Sequence, residues 1–213
     1  MKTLLSIIAM LGALFSAPAQ ASMVELSQDQ LVDASNAIVR ATVTEIWTEE
    51  DERGVVWTRA QLEVIETFKG DKRVKAYVID QLGGRFGGNV TDMDAGARFS
   101  VGEEAIFFLE TLGNGRTSPV GLSQGKFTTR MDPYSQEKIV LRFAPVGKQK
   151  YDHRFIPLPK AADRVFMTDF IERIEARVEQ GWDGQPIPGA SLKRLQRINS
   201  ARLQHINTTE VAR

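Results

Sequence analysis

The sequence predicts a mainly β protein, a small antiparallel barrel with a short N-terminal helix and a helical C-terminal region. Three observations lead to this fold class. Apolar and polar residues alternate with a period of two through much of residues 37–143. Turns rich in glycine, asparagine and charged residues separate the alternating runs, and no helical pattern lies between them. Closure into a barrel would also leave such apolar strands without exposed edges.

The first two runs predict an antiparallel hairpin. In residues 38–47, Val39, Ala41 and Val43 fall on one face of a strand, while polar residues fall on the other face. A second run over residues 56–68 follows the charged turn 49–54, and its apolar residues also share one face. Two alternating runs joined by a short polar turn are typical of a hairpin.

Five further runs predict the remaining strands. They cover residues 74–80, 105–110, 119–122, 126–130 and 138–143. The run over residues 105–110 differs from the others because its centre, Ile106 to Leu109, is apolar without interruption. Many short strands at nearly regular spacing, without helices between them, indicate a small closed barrel or a sandwich.

Three segments have a helical pattern instead. Residues 27–35 begin with Ser27, a favourable N-cap, and present Leu31 and Val32 on one side, which predicts a short helix over one end of the barrel. Residues 163–180 carry apolar residues at helical spacing and are followed by Gly181, which predicts the longest helix. A weaker pattern predicts a further helix over residues 191–206.

The N-terminus has the pattern of a secretory signal peptide. Lys2 precedes an apolar run, and Ala19-Gln20-Ala21 is a small-x-small cleavage site, so we expect cleavage between Ala21 and Ser22. This pattern predicts a periplasmic or secreted protein. We therefore divide the chain into a signal peptide (1–21), a β-barrel domain (22–145), a connector (146–162) and a helical C-terminal region (163–213).

Composition narrows the classes of function. The chain has no cysteine and 2 histidines, and 27 basic side chains balance 27 acidic ones. These features exclude disulfides and thiolate metal sites, and the balanced charge does not favour nucleic acid. The apolar run of the signal peptide is too short to span a membrane, and no other run is longer. Residues 184–213 carry five basic side chains against one acidic side chain, so a tail that docks on an anionic surface or nucleic acid stays open as a lesser alternative.

One motif suggests an enzyme. The segment Gly121-Leu122-Ser123-Gln124-Gly125 has the G-x-S-x-G spacing of a nucleophile elbow. However, a strand-like run follows it instead of a helix, and the only possible bases are His153 in a polar connector and His205 in the basic tail. A serine hydrolase using Ser123 is therefore the alternative function, and a glycine-bracketed bend between strands is the simpler interpretation.

A second glycine-rich segment, Gly83-Gly84-Arg85-Phe86-Gly87-Gly88, lacks the following helix and the Lys-Ser/Thr pair of a phosphate-binding loop. It predicts a mobile loop after the third strand. Arg85 and Phe86 would then stand on a flexible tip, and an exposed aromatic residue beside an arginine is common in recognition surfaces. We therefore expect partner binding at Arg85 and Phe86.

No catalytic, metal or cofactor site is predicted. Asn89, Asp92 and Asp94 offer oxygen ligands but lack an EF-hand pattern, which favours a solvated acidic turn. Glu103 and Glu104 are sequence neighbours whose side chains diverge on a strand, which does not suit an acid/base pair.

Four segments together resemble a group of exported bacterial proteins of unknown function. They are Ala37–Ile46, Leu62–Gly70, Gly102–Leu109 and Gly121–Phe127. The barrel of that group is similar to the OB-like fold of netrin modules and tissue inhibitors of metalloproteinases, and the likeness covers about residues 34–143. Those inhibitors reach the protease metal with an N-terminal cysteine, and because this chain has none, no inhibitory residue is carried over. The sequence thus predicts an exported, non-catalytic binding module whose partner is a protein or a cell-envelope component.

Overall fold

The computed structural model describes residues 25–91, 96–142 and 165–187. Within them the helices are α1 (Gln28–Ala34) and α2 (Met167–Gln180). The strands are β1 (Ala37–Glu50), β2 (Val56–Lys69), β3 (Ala76–Leu82), β4 (Gly84–Phe86), β5 (Asn89–Thr91), β6 (Glu104–Thr111), β7 (Thr117–Pro119), β8 (Lys126–Met131), β9 (Lys138–Arg142) and β10 (Val165–Phe166). The predicted signal peptide, the connector and the helix expected over 191–206 lie outside the described residues.

One antiparallel sheet dominates the described residues. Its strands follow the order β10-β9-β8-β6-β1-β2-β3, β7 also pairs with β6, and β4 and β5 form a separate two-stranded ribbon. The mainly β, antiparallel class with a short N-terminal helix and a C-terminal helix is confirmed. The predicted barrel closure is wrong, because the path of paired strands in the described residues is open, with β3 and β10 at its edges. Side chains instead join β3 to the segment before β7, where Arg116 Nη1 lies 2.6 Å from Asp80 Oδ1.

An apolar core lies on one face of β1. β1 pairs with β2 along its whole length, and its register shifts three times between Ile38 and Glu45. Such irregularities bend a strand and increase its twist. The side chains of this core include the predicted Val39, Ala41 and Val43, together with Leu62, Ile79 and Phe107.

A second core lies on the opposite face of the sheet, under the two helices. Ile106 and Phe108 of β6 point into it, while Phe107 and Leu109 point into the first core. β6 is therefore buried on both faces, which explains its continuous apolar centre. Phe170 of α2 completes this core, with its ring centroid 6.1 Å from that of Phe108.

The helix ends follow local capping rules only in part. Ser27 caps α1 and forms a capping box with Gln30, as its position predicts. α2 begins at Met167 instead of residue 163, because Val165 and Phe166 pair with β9. A buried ion pair joins the helices, with Arg177 Nη2 2.5 Å from Asp33 Oδ2. Burial raises the pKa of Asp33 despite this arginine.

Candidate functional site

The segment predicted as a mobile loop is a β-hairpin. β4 and β5 pair with Arg85 opposite Val90 and Phe86 opposite Asn89, and Gly87 and Gly88 connect them. Both connecting residues have positive φ, +53° and +90°, which a two-residue hairpin turn of this hand requires. Arg85 and Phe86 therefore stand on a paired strand and not on a loop tip.

Two threonines hold the base of this hairpin on the sheet. Thr48 Oγ1 donates to the Arg85 carbonyl at 2.9 Å, and Thr58 Oγ1 donates to the Gly83 carbonyl at 2.7 Å. Gly84 is required between them, since a Cβ at this residue would come within 2.6 Å of Thr58 Oγ1. The close approach fixes the direction in which the hairpin leaves the sheet.

The hairpin exposes apolar side chains. Phe86 is 40% exposed, Val90 is 59% exposed and Leu82, at the end of β3, is 37% exposed. Arg85 is exposed beside them. A cation among exposed apolar side chains is typical of a contact surface.

A cluster of tryptophan and arginine side chains adjoins the hairpin. Trp57 lies opposite Leu82 in the β2–β3 register, and the guanidinium of Arg116 stacks on it, with Cζ 4.3 Å from the ring centroid. Arg59 stacks less closely on Trp47 at 5.5 Å. Asp80 lies between the two arginines, with Oδ1 2.9 Å from Arg59 Nε and 2.6 Å from Arg116 Nη1. We call this set (Trp47, Trp57, Arg59, Asp80 and Arg116) the Trp–Arg cluster.

Acidic side chains at the turn before β2 contact the Trp–Arg cluster. Trp57 Nε1 donates to Asp51 Oδ2 at 3.0 Å, and this bond together with the amide of Val55 lowers the pKa of Asp51. Glu49 Oε2 lies 3.1 Å from Arg59 Nη1. Glu50, the last residue of β1, and Glu52, on the turn itself, are both exposed. The surface thus combines aromatic and cationic groups with a negative edge.

Ser123 is buried in a different region. It lies in a 3₁₀ turn, Leu122–Gly125, where it is 1% exposed and its hydroxyl has no hydrogen-bond partner among the described residues. A Cβ at Gly125 would come within 2.6 Å of the Val120 amide nitrogen, so close backbone packing requires this glycine. The motif is a bend between β7 and β8, and His153 and His205 lie outside the described residues.

The other sequence candidates are separated or paired. Glu103 contacts Lys126 and Thr128, at 2.7 Å and 2.5 Å, whereas Glu104 pairs with Lys138 at 3.1 Å. Asn89 lies on β5, and Asp92 and Asp94 lie outside the described residues. In the part of the chain that the structure describes, no group of three or more histidine, cysteine or carboxylate side chains could hold a metal ion. No helix in those ranges is long and apolar enough to cross a membrane.

Known proteins give no indication of what this site does. No protein-family model matches this chain. The search of curated proteins also finds no match.

Sequence reasoning found the hairpin residues and missed the Trp–Arg cluster. Trp47 and Arg59 are twelve positions apart, and Trp57 and Arg116 are much further apart, so no linear motif links them. Alternation places Arg59 on the polar face of β2, but it places Trp47 on the same face of β1 as Val43. The register shift between Val43 and Glu45 moves Trp47 to the other face, so the sequence pattern gave no signal for this contact. Their contact follows only from the register that places them opposite each other.

Proposed function

We propose that this protein is an exported, non-catalytic binding module whose partner is a protein or a cell-envelope component. The observation that carries the proposal is the hairpin that presents Arg85, Phe86 and Val90 from a fixed base on the sheet. We call these three residues, with Leu82 and the adjoining Trp57 and Arg116, the hairpin surface. Tryptophan and arginine are side-chain types that concentrate binding energy in protein interfaces, and phenylalanine is enriched there.

Charge favours a protein partner over an anionic lipid surface. Arg85 is a single exposed cation on the hairpin, and Glu50 and Glu52 are exposed nearby, at the end of β1 and on the turn that follows it. Anionic lipid headgroups attract clusters of several cations and are repelled by carboxylates. A protein surface with an apolar pocket for Phe86 and an acidic group for Arg85 would complement this arrangement.

Export is part of the same proposal. The N-terminal pattern that precedes Ser22 and the resemblance to exported bacterial proteins with an OB-like barrel both support it. Expression of the full chain in a bacterium, followed by N-terminal sequencing of the envelope fraction, should give a product that begins at Ser22. An Ala19→Arg/Ala21→Arg variant should retain residues 1–21. A wild-type product that keeps its N-terminus in the cytoplasm would contradict export.

Binding is tested by photo-crosslinking and by a matched pair of double variants. A benzophenone amino acid at position 86 should crosslink a discrete partner in envelope extract, and the same amino acid at position 134 should not. Arg85→Ala/Phe86→Ala should lower the affinity for that partner by at least tenfold. Arg73→Ala/Tyr134→Ala removes an arginine and an aromatic side chain that are both largely exposed elsewhere, and it should leave the affinity unchanged.

A further variant separates the hairpin position from its side chains. Gly84→Val keeps Arg85 and Phe86 but drives a side chain against Thr58 and Thr48. We expect it to weaken partner binding while the sheet stays folded, as judged by its circular dichroism spectrum. Equal partner affinity for the wild type and the Arg85→Ala/Phe86→Ala variant would overturn the proposal.

A further inference from the structure

Two adjacent strands separate at one place in the sheet and leave a groove between them. β6 and β8 pair at Phe107–Lys126, Ile106–Phe127 and Ala105–Thr128, and the ladder ends there. β6 then continues along β1, where Gly102 and Glu103 exchange backbone hydrogen bonds with Val43. β8 continues along β9 as far as Met131. Thr129 Oγ1 still donates to the Glu104 carbonyl at 3.0 Å, but no strand of the described residues pairs through its backbone with residues 129–131 of β8 on the side that faces β6.

The groove between the separated strands has a volume of about 500 Å³, which lies within the range of ligand-binding pockets. Residues 100–104 line one wall, residues 128–131 line the other, and Lys138 lies at its end. Two apolar side chains on its walls are largely exposed, Val101 at 65% and Met131 at 56%. It shares no residue with the hairpin surface.

The carboxylates of the groove are already neutralised. Glu103 contacts Lys126, whose ammonium also donates to the Arg98 carbonyl, and burial lowers the pKa of this lysine. Glu104 lies 3.1 Å from Lys138 and 3.6 Å from Arg40, which also pairs with Glu66.

Arg130 is a further cation beside the groove, and none of these ion pairs includes it. It is exposed and lines the groove, and its side chain has no ion pair or hydrogen bond to any described residue. With Arg130 included, the ion-pair network around the groove has four cations for three carboxylates, and Arg130 is its one cation without a carboxylate partner among the described residues.

We propose that this groove binds an extended, acidic peptide segment of a partner protein, which pairs with the free edge of β8 and places a carboxylate on Arg130. A free strand edge offers backbone donors and acceptors at the spacing of a second strand. Side chains of the added strand point alternately to opposite faces, so apolar residues flanking the acidic one would reach Val101 and Met131. A cation without a carboxylate partner selects an acidic centre over a basic one.

The test uses a defined set of peptides. Acetylated pentapeptide amides Thr-Xaa-Asp-Zaa-Thr are made with each apolar residue at Xaa and Zaa, alongside a second set with Lys replacing Asp. Binding to the chain that begins at Ser22 is measured by fluorescence polarisation. We expect members of the Asp set to bind at least tenfold more tightly than their Lys counterparts. No binding by any member, or equal binding by the two sets, would overturn the proposal.

Variants of the protein locate the site. Arg130→Glu should abolish the preference for Asp and reverse it toward the Lys set, and Arg130→Gln should remove the preference without reversing it. Arg53→Glu changes an exposed arginine on the β1–β2 turn and should leave peptide binding unchanged. Unaltered binding in Arg130→Glu would exclude the groove. Arg85→Ala/Phe86→Ala should also bind the peptides normally, which distinguishes this groove from the hairpin surface.

A backbone modification tests the strand pairing itself. Alternate amides of an added antiparallel strand face β8, so N-methylation of one alternate set should abolish binding and N-methylation of the other should not. Equal tolerance of both methylation patterns would rule out strand addition.

Discussion

Replacement of Asp80 by alanine should destabilise the protein substantially more than loss of an exposed ion pair. Asp80 is 3% exposed and joins Arg59 of β2 to Arg116, which precedes β7. No backbone pairing joins β3 to β7 in the described residues, so the Asp80 carboxylate links these two parts of the sheet through side chains. Its removal leaves two arginines without their nearest counter-charge.

The magnitude follows from how much of each arginine remains in water. Removing one partner of a fully buried pair costs about 3–5 kcal/mol. The arginine side chains here are 29% and 22% exposed, and both lie near Glu49, so solvent and a second carboxylate screen part of the loss. We therefore expect Asp80→Ala to lower the free energy of unfolding by about 2–3 kcal/mol. For a chain of this size each kcal/mol lowers Tm by roughly 2–4 °C.

The assay is urea unfolding of the chain that begins at Ser22, followed by circular dichroism and tryptophan fluorescence. Asp71→Ala is the matched control, because Asp71 pairs with an arginine that is 91% exposed. That control should cost about 0–1 kcal/mol. A double-mutant cycle of Asp80→Ala with Arg116→Met should show a coupling of at least about 0.5 kcal/mol. A loss below about 1 kcal/mol for Asp80→Ala would refute the view that Asp80 fastens β3 to β7.

Three further predictions concern the core and its pH dependence. Gly125→Ala should lower the unfolding free energy by about 1–3 kcal/mol or more, since the added Cβ would come within 2.6 Å of the Val120 backbone. The control Gly113→Ala places its Cβ in open space and should change the unfolding free energy by less than about 0.5 kcal/mol. Equal effects in urea unfolding would contradict the packing argument. Phe170→Ala should lower the free energy of unfolding by about 3–5 kcal/mol, because the Phe170 ring is buried with its centroid 4.6 Å from that of Phe127 and 6.1 Å from that of Phe108. A much smaller loss would show that helix α2 unfolds separately from the sheet. Burial raises the pKa of Asp33 above its unfolded value, so the folded state binds the proton more tightly and this group adds stability as pH falls through its folded pKa. The unfolding free energy of wild type relative to Asp33→Asn should therefore increase as pH is lowered from 7 toward 4, and a decrease would show that pairing with Arg177 outweighs burial.

Several parts of the fold were predictable from local pattern. Alternation located β1 and β2, and it assigned Val39, Ala41 and Val43 to one buried face. Ser27 and Gly181 correctly indicated helix ends, because capping depends on groups within one turn of the chain. The start of α2 was missed because Val165 and Phe166 pair with β9, a contact between distant residues.

The candidate site was only half predictable. Arg85 and Phe86 are adjacent in sequence, and their residue types suggested a contact surface. Their place on a paired strand was not predicted, since it depends on Thr48 and Thr58 meeting the hairpin base. Glycine clusters permit both a loop and a tight hairpin, so composition could not choose between them.

By itself the sequence indicated the helix caps, the lack of cysteine, the signal-like N-terminus and six of the strands, which are β1, β2, β3, β6, β8 and β9, because each depends on a side chain and its near neighbours. Only the tertiary structure decided that the sheet stays open, that Asp80 joins Arg59 to Arg116, and that β6 and β8 separate to leave Arg130 beside a groove. These features depend on register and curvature, which many weak contacts between distant residues set together. Burial of Ser123 belongs to the same class, since the same five-residue motif suits an exposed nucleophile or a packed bend until its surroundings are known.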